Sequence, residues 1–588
     1  MNKNLLLYVH FNKENKLSEH VIYQLQKMRP IFDEIFFISN SELSNADKEI
    51  LENQQLFDGF MQRENKGYDF VAWSDAMKHY GFDKLMEYET VTVMNDTCFG
   101  PVFDFAPIFE ENTANSAIDF WGITNNRGHK VNPWGDKTIT LPDHIQSYFV
   151  SYKQNVVKSD SFQKFWSNVE VLDDVVKVII QYETAMTKYF EDAGFKSAVL
   201  FDTRKEDWAG MLVHDFSVFN LSALVKRQIP FLKIKAFTYG AENVYTPIVF
   251  DELKRISDYP TEYIVNHMTW VDYPDRAYML DDKILNISEN SVKFDKKVGI
   301  HLHVFYVDLL QEFLDNFDQY VGNYDLFITT DQEKKKQEIQ EIVKNRENIK
   351  TILVTPNKGR DVLPWMKIAS NLTDYEIAGH FHTKKSADNQ WIVGESWRQE
   401  IVENLILPAQ NIFSAFQDNE QLGLVISDVP SFFQAFRGPI YMDEEKIWDK
   451  MLGMWNKINF AEKKELKQKD SYTMSYGTMI WYRPKALNDL LVIDIADEIP
   501  AEPLPYDSIL HAFERLLVYV SWGNHYDFRI SKTFNQQNGF AANVSLNRTL
   551  RELKQDNKDF RLRELSVMFY KKLKFMIKYN LLKMIGKR

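Results

Sequence analysis

The sequence predicts an α/β protein: two related parallel-sheet domains in tandem, followed by a basic amphipathic helical tail. Three observations predict it. Short apolar strands alternate with amphipathic helices, the pattern of βα units stacked on a parallel sheet. The two halves of the chain repeat one another motif by motif. The length, 588 residues, is about twice that at which a single hydrophobic core stops growing. The expected divisions are residues 1–290, 291–540 and 541–588.

Composition narrows the class. The chain is 45% hydrophobic and 26% charged, as folded proteins are. A net charge of −13 and a pI near 5.6 argue against a general nucleic-acid binder, which needs a basic face for phosphates. The single cysteine, Cys98, excludes a disulfide framework and a cysteine-rich metal site within one chain. The opening MNKNLLLYVHF has too short an apolar run for a signal peptide. No apolar run reaches the roughly 18 residues of a membrane span. A cytoplasmic protein is expected.

The elements follow in order. Residues 4–10 (NLLLYVH) read as a strand ending in His10, and 298–303 (VGIHLH) as a strand ending in His303. The expected pairing sets these two histidines opposite one another. Second strands follow at 36–40 and 326–330. Next comes the sharpest match: Asn65-Lys66-Gly67-Tyr68-Asp69 and Asn357-Lys358-Gly359-Arg360-Asp361. The strand opened by Tyr88-Glu89 and ending at Asn95-Asp96 matches the one opened by Tyr375-Glu376, which runs into His380, His382, Lys384 and Lys385. Then 147–157 matches 477–487, and each half closes with a helix carrying a glutamate, Glu183 or Glu514. The second half carries an insertion within 387–475. Residues 240–295 read as a partly structured connection.

In open parallel sheets ligands bind beyond the carboxyl ends of the strands. His10, Asn65 to Asp69, Asn95, Asp96, His303, Asn357 to Asp361 and His380 to Lys384 all fall at or past such ends, which makes them candidate ligand-binding residues. Glycine in the repeated loop allows a tight turn and a close backbone approach. Its aspartate can accept hydrogen bonds from a ligand; the plainer alternative is a helix cap. Asp96 is the expected ligand for a magnesium or manganese ion in the first half, since hard oxygen donors suit both ions. The corresponding place in the second half is cationic rather than acidic. There the histidines and lysines can neutralise a diphosphate directly. Glu183 and Glu514 are candidate general bases, against the plainer reading of solvated helix residues. His144 and His511 are lesser candidates, since a lone histidine is more often structural.

From Arg561 the chain reads RLRELSVMFYKKLKFMIKYNLLKMIGKR, with nine basic residues against one acid, Glu564. Its apolar residues recur at three- and four-residue spacings. Such a helix can lie on an anionic membrane surface, or dock on its own domain.

The runs YDFVAWSDAMKHYGFDKL, NDTCFGPVFDF, DFWGIT, HIQSYF, HVFYVDLLQEFL, NKGRDVLPW, HFHTKKS, GTMIWYRPKAL and HAFERL together resemble the rhamnan synthesis protein F family of streptococcal-type polyrhamnose rhamnosyltransferases. The resemblance spans roughly residues 4–535. It implies two tandem GT-A-like, Rossmann-like glycosyltransferase domains, with dTDP-L-rhamnose as donor. It implies an undecaprenyl-diphosphate-linked rhamnan as acceptor, at the inner face of the plasma membrane. It also implies an inverting reaction, and two domains could make two linkages. The alternatives are one catalytic domain with an acceptor-binding partner, or a non-catalytic scaffold. A glycoside hydrolase would need paired carboxylates flanking a bond, and the sequence shows no such pair on shared strand ends.

Overall fold

The computed structural model describes residues 3–532 except 136, 210, 212–213, 239–244, 288–293, 384, 386–390, 431–443, 463, 470–471, 503 and 506. The predicted tail, 541–588, and Lys384 lie outside the described residues. The chain divides into two compact units, Met1–Asp272 and Tyr273–Arg588.

The first unit is built on seven main strands: β1 (Asn4–His10), β2 (Glu34–Ser39), β3 (Gly59–Gln62), β4 (Thr90–Asn95), β5 (Phe120–Asn126), β6 (Phe149–Lys153) and β7 (Ser197–Phe201). Their order is β3-β2-β1-β4-β6-β5-β7, and a short strand, His144–Ile145, pairs with β5. All pairs along this order are parallel except those of β6, which runs antiparallel to β4 and β5. From Leu5 to His10 every residue of β1 is buried. That is why its sequence is a continuous apolar run and not an alternation: both faces of a parallel sheet are covered. One face packs under helix α1 (Tyr68–Tyr80), where Leu5, Leu7 and Val9 join Trp73, Ala76 and Met77 in one core.

The second unit has β8 (Val298–His303), β9 (Tyr324–Thr330), β10 (Ile349–Val354), β11 (Ala378–His382), β12 (Leu422–Ser427), β13 (Ile480–Tyr482) and β14 (Asp527–Ser531). The order is β10-β9-β8-β11-β13-β12-β14, with β13 the antiparallel member. This is the same permutation as in the first unit, strand for strand. Each sheet therefore reverses its direction of growth at its first and fourth strands, the place where such sheets bind ligands. The unit begins with a firmly held segment, in which the buried ammonium of Lys283 lies 2.7 Å from Asp527 Oδ1 on β14. No helix among the described residues is long and apolar enough to cross a membrane.

The hydrogen-bond register corrects one pairing. Val9 stands opposite Asn95 and Ile38, while His303 stands opposite His382 and Thr329. Asp96 donates its N–H to the Val9 carbonyl, and Thr383 donates its own to the His303 carbonyl. His303 thus corresponds to Val9, and His10 to Val304. A one-residue slip moves a strand side chain to the opposite face, so the two histidines serve different surroundings.

Candidate functional site

In the first unit the strand ends gather a small acidic set. His10, at the end of β1, is buried, with Nδ1 3.2 Å from Ser39 Oγ. Its Nε2 has no hydrogen-bond partner and lies 4.0 Å from Asp96 Oδ2. That carboxylate oxygen accepts the Phe11 N–H at 2.9 Å. Asn95, which ends β4, donates Nδ2–H to Asp69 Oδ2 at 2.7 Å and accepts the Thr97 hydroxyl on Oδ1 at 2.6 Å. Burial pushes the Asp96 carboxyl up to about 8, and the neighbouring Asp69 adds to the rise. Burial also raises Asp69 to about 6, with Glu183 adding to it and the Asn95 bond opposing it. His10 is lowered to about 4 by burial.

The repeated loop has one conformation in both units. Gly67 and Tyr68 have φ of 72° and 55°; Gly359 and Arg360 have φ of 76° and 51°. A Cβ on Gly67 would lie 2.2 Å from Val71 Cγ2, and one on Gly359 would lie 2.4 Å from Leu363 Cγ. Two successive left-handed residues turn the chain straight into α1 and into α3 (Val362–Ile368). Neither helix start has a side-chain cap. The two aspartates instead reach the fourth strand of their sheets. The preceding residues face outward: Lys66 is exposed and ion-paired with Glu64, Asn357 and Lys358 are exposed, and Asn65 accepts from Asn40 Nδ2 at 3.2 Å.

Glu183 and Glu514 repeat a single contact. Glu183 closes a π-helical turn, Ile179–Glu183, before α2 (Thr184–Asp192), and accepts the Ser147 N–H at 3.2 Å. Glu514, within α4 (Ile509–Gly523), accepts the Gly477 N–H. Ser147 and Gly477 hold the same place just before β6 and β13. Each glutamate is thus tied to the mouth of its sheet through the antiparallel strand; the second oxygen of Glu514 lies 3.6 Å from Arg515 Nη1.

The second unit surrounds its aspartate differently. Asp361 Oδ2 accepts Nε2–H of His380 at 3.2 Å and the Thr478 hydroxyl at 2.5 Å. His382 donates Nε2–H to the Gly477 carbonyl at 2.7 Å and lies 4.0 Å from Asp361 Oδ1. Burial alone would raise the Asp361 carboxyl, but His382, His380 and Thr478 outweigh it and hold it well below the usual carboxylate range. Thr383 stands where the first unit has Asp96, and its hydroxyl accepts the Phe305 N–H at 2.9 Å just as Asp96 accepts that of Phe11. Lys385 pairs with Asp308. His144 is buried with Nδ1 3.0 Å from the Pro142 carbonyl, a structural contact, and His511 lies near the start of α4.

One polar group in the first unit has no counterpart in the predicted set. Lys233 pairs with Asp215 at 2.8 Å, Asp215 also accepts from Gln146 Nε2 at 3.0 Å, and Gln146 Oε1 accepts from Thr124 and Ser217. Burial would lower the Lys233 ammonium, but Asp215 and Glu183 outweigh it and hold it above its ordinary value. Lys233 pairs in a two-stranded ribbon with Cys98, two residues past Asp96, so it brings a cation to the acidic strand ends. Its sequence signal is slight, a lysine in the apolar stretch IPFLKIKAF.

The first unit offers a divalent cation some of the donors it would need. Asp96 and Asp69 offer hard oxygen donors, both carboxyls are raised by burial, and the adjacent His10 Nε2 is unpartnered. The second unit does not fit one at the corresponding place: Asp96 is replaced by Thr383, and Asp361 is already satisfied by its neighbours.

Comparison with known proteins adds the following. Over 185 residues the chain is 24% identical to the uncharacterised protein y4gN of Sinorhizobium fredii, covering 32% of this chain and 45% of that one. Over 187 residues it is 26% identical to virulence protein VirA of Vibrio anguillarum, covering 31% of this chain and 52% of that one. The match thus spans about half the length of these curated relatives. Among solved structures, a mannosyltransferase from Pyrobaculum calidifontis in complex with GDP-Man and Mn2+ aligns with a TM-score of 0.25 and 9% identity, covering 48% of this chain and 66% of that one. S. aureus TarS aligns with a TM-score of 0.23 and 12% identity, covering 40% and 57%. The profile of the family described as rhamnan synthesis protein F matches residues 35–526. The chain therefore belongs to the rhamnan synthesis protein F family.

Proposed function

We propose that this protein transfers L-rhamnose from dTDP-L-rhamnose to a lipid-linked rhamnan chain, with inversion, using one GT-A-like site in each unit. The observation that carries the reading is the doubled glutamate contact: Glu183 on the Ser147 N–H and Glu514 on the Gly477 N–H, each at the mouth of a sheet with the same strand order. A base fixed by a backbone donor at the ligand end of the sheet is placed to take the acceptor hydroxyl's proton. The hydroxyl oxygen then bonds to the sugar's anomeric carbon. The diphosphate leaves from the opposite face with the electron pair of the broken C–O bond.

In the first unit Asp69 and Asn95 orient polar groups of the donor, while Lys233 offers positive charge to the departing diphosphate. Asp96 is the residue to hold magnesium or manganese, which would supply further charge neutralisation there. In the second unit Asp361 stays ionised and takes the orienting role, and Lys384 carries the cationic part. The tail, 541–588, attaches the protein peripherally to the anionic inner face of the plasma membrane, close to a lipid-borne acceptor.

The test is transfer from dTDP-L-rhamnose to a short lipid-linked rhamnose acceptor, read by mass spectrometry and linkage analysis. Wild type is compared with Asp69→Asn and Asp361→Asn. The expected result is two linkages, each lost in one variant. One linkage lost in a single variant would leave the other unit an acceptor-binding role. No turnover of any nucleotide sugar would favour a scaffold.

A further inference from the structure

Below Asp361 the second unit carries a row of imidazoles that the first unit lacks. His301 and His303 on β8, His380 on β11 and Thr329 on β9 are all buried. The matching positions of the first unit are Leu7, Val9, Val93 and Ile38, by the pairings of β1 with β2 and β4. The four polar groups form one continuous chain. His303 Nδ1 lies 2.9 Å from Thr329 Oγ1, Thr329 Oγ1 2.9 Å from His301 Nε2, His301 Nδ1 2.9 Å from His380 Nδ1, and His380 Nε2 3.2 Å from Asp361 Oδ2. Trp365 clamps the last ring, stacked on His380 at 4.2 Å and 6° between planes, and is itself held by the Tyr482 hydroxyl.

Donor accounting gives this chain a single polarity. Ionised Asp361 can only accept, so His380 carries its proton on Nε2. Neutral His380 then accepts on Nδ1, and His301 must donate from Nδ1. His301 therefore accepts on Nε2, taking the only proton of Thr329. That leaves Thr329 to accept from His303 Nδ1. Every hydrogen bond points toward Asp361. An added proton would set two donors face to face at His301 or His380; His303 can take it, because its Nε2 is not part of the chain. Moving it from His303 to Asp361 means reversing every bond, with each ring exchanging one N–H for the other. The charged and titratable groups facing the chain are Asp361 and His382, which act on all three rings, and Asp331, paired with Lys335, which acts on His303.

We infer that His303, Thr329, His301 and His380 form a one-directional proton relay that positions Asp361 and keeps it a carboxylate, so that these four are positioning residues of the second unit. This rests on reading that unit as a transfer site. The relay fills places that are aliphatic in the first unit and gives the second unit a built-in source of polarity that the first lacks. It also couples the tautomers of the three rings, since a proton passed along the chain to Asp361 reverses His303, His301 and His380 together.

The test has an arm that needs no activity. Nitrogen-15 labelling of histidine in the full chain reads each ring's protonated nitrogen by NMR. The expected tautomers are Nδ1–H for His301 and His303 and Nε2–H for His380, changing together on acidification. The variant His301→Leu, which installs the first unit's own residue, is expected to fold and to uncouple His303 from His380. In the transfer assay it should lower the second-unit linkage by roughly tenfold or more and move its acid limb, leaving the first-unit linkage unchanged. His301→Gln, able to donate to His380 and accept from Thr329, should restore most of that loss. His301 protonated on Nε2, or three independent titrations in the wild type, would overturn the relay. An acid limb unmoved in His301→Leu would overturn its role at Asp361. If no sugar is transferred at all, the proposed function fails while the tautomers still decide the relay.

Discussion

At the scale of the residue, Glu183 and Glu514 can be separated into a structural and a chemical part. Each accepts one backbone N–H, from Ser147 or Gly477. Glutamine can accept the same bond but cannot take a proton at neutral pH. Glu183→Gln and Glu514→Gln should therefore keep the melting temperature within a few degrees and each lower one linkage by roughly 10²–10⁴-fold. Alanine at the same places also strands a backbone donor and should cost about 1–2 kcal/mol of stability. Equal loss of activity and stability in the glutamine variants would make these residues struts rather than bases. Asp96 gives a second residue-level prediction, with the opposite sign from a paired carboxylate. Its folded pKa, about 8, lies above the ordinary value near 4 because of burial. The native state therefore holds a proton that the unfolded state releases across that window, and stability falls as pH rises through it. Asp96→Asn should show a shallower decline in thermal stability between about pH 5 and pH 8, the difference reaching about 3–4 kcal/mol at the upper end. Manganese should stabilise wild type at pH 8 and leave the variant nearly unaffected.

At the scale of the element, the NKGxD loop is a backbone device before it is a ligand contact. Gly67 and Gly359 share a positive φ, and a Cβ would strike the residue four places on, Val71 or Leu363. Gly67→Ala and Gly359→Ala should each cost about 1–3 kcal/mol, read as a loss of melting temperature, and should displace Asp69 or Asp361 enough to cost activity. Trimming Val71 to alanine removes the closest contact but leaves its Cβ 2.9 Å away and the φ strain in place, so it should recover only part of the loss. The loop shows how much of the fold was legible in the sequence. Its glycines and aspartates, the tyrosines just before the fourth strands, Tyr88 and Tyr375, and the two glutamates are side-chain identities fixed by local geometry that both units share. They survive as matching letters. The pairing of His10 with His303 failed because a strand end carries no such fixed marker: register is set by hydrogen bonds, and Val9 answers to His303. The relay was hidden for a related reason. VGIHLH sits in a fully buried strand and looks like an apolar run interrupted twice, and only the neighbouring strands show that His301 meets His380. Lys233 and Asp215 join partners far away in the chain, which no local pattern signals.

At the scale of the whole molecule, the two units share a strand order yet differ in what fills equivalent places: acid and aliphatic residues in one, threonine and imidazole in the other. A protein making one linkage would have little reason to keep two such different sites on one scaffold, whereas two acceptor geometries would call for it. The chain as a whole carries a net charge of −13, so an anionic membrane should repel its body. A basic segment at 561–588 with nine cations and one acid can reverse this locally, at about 1 kcal/mol per cation near such a surface. Two consequences follow for full-length protein and a chain ending at 540. Full-length protein should co-sediment with vesicles containing anionic lipid, lose that binding as salt shortens the Debye length, and ignore neutral vesicles. The shortened chain should bind neither. With a water-soluble acceptor the two should transfer at similar rates, while with a lipid-borne acceptor in vesicles the shortened chain should fall behind by roughly tenfold or more, since it loses the surface concentration that tethering supplies. A shortened chain that binds anionic vesicles as well as the full one would move the membrane contact onto one of the two units. Equal loss on both acceptors would mean that the tail supports the fold of the second unit instead.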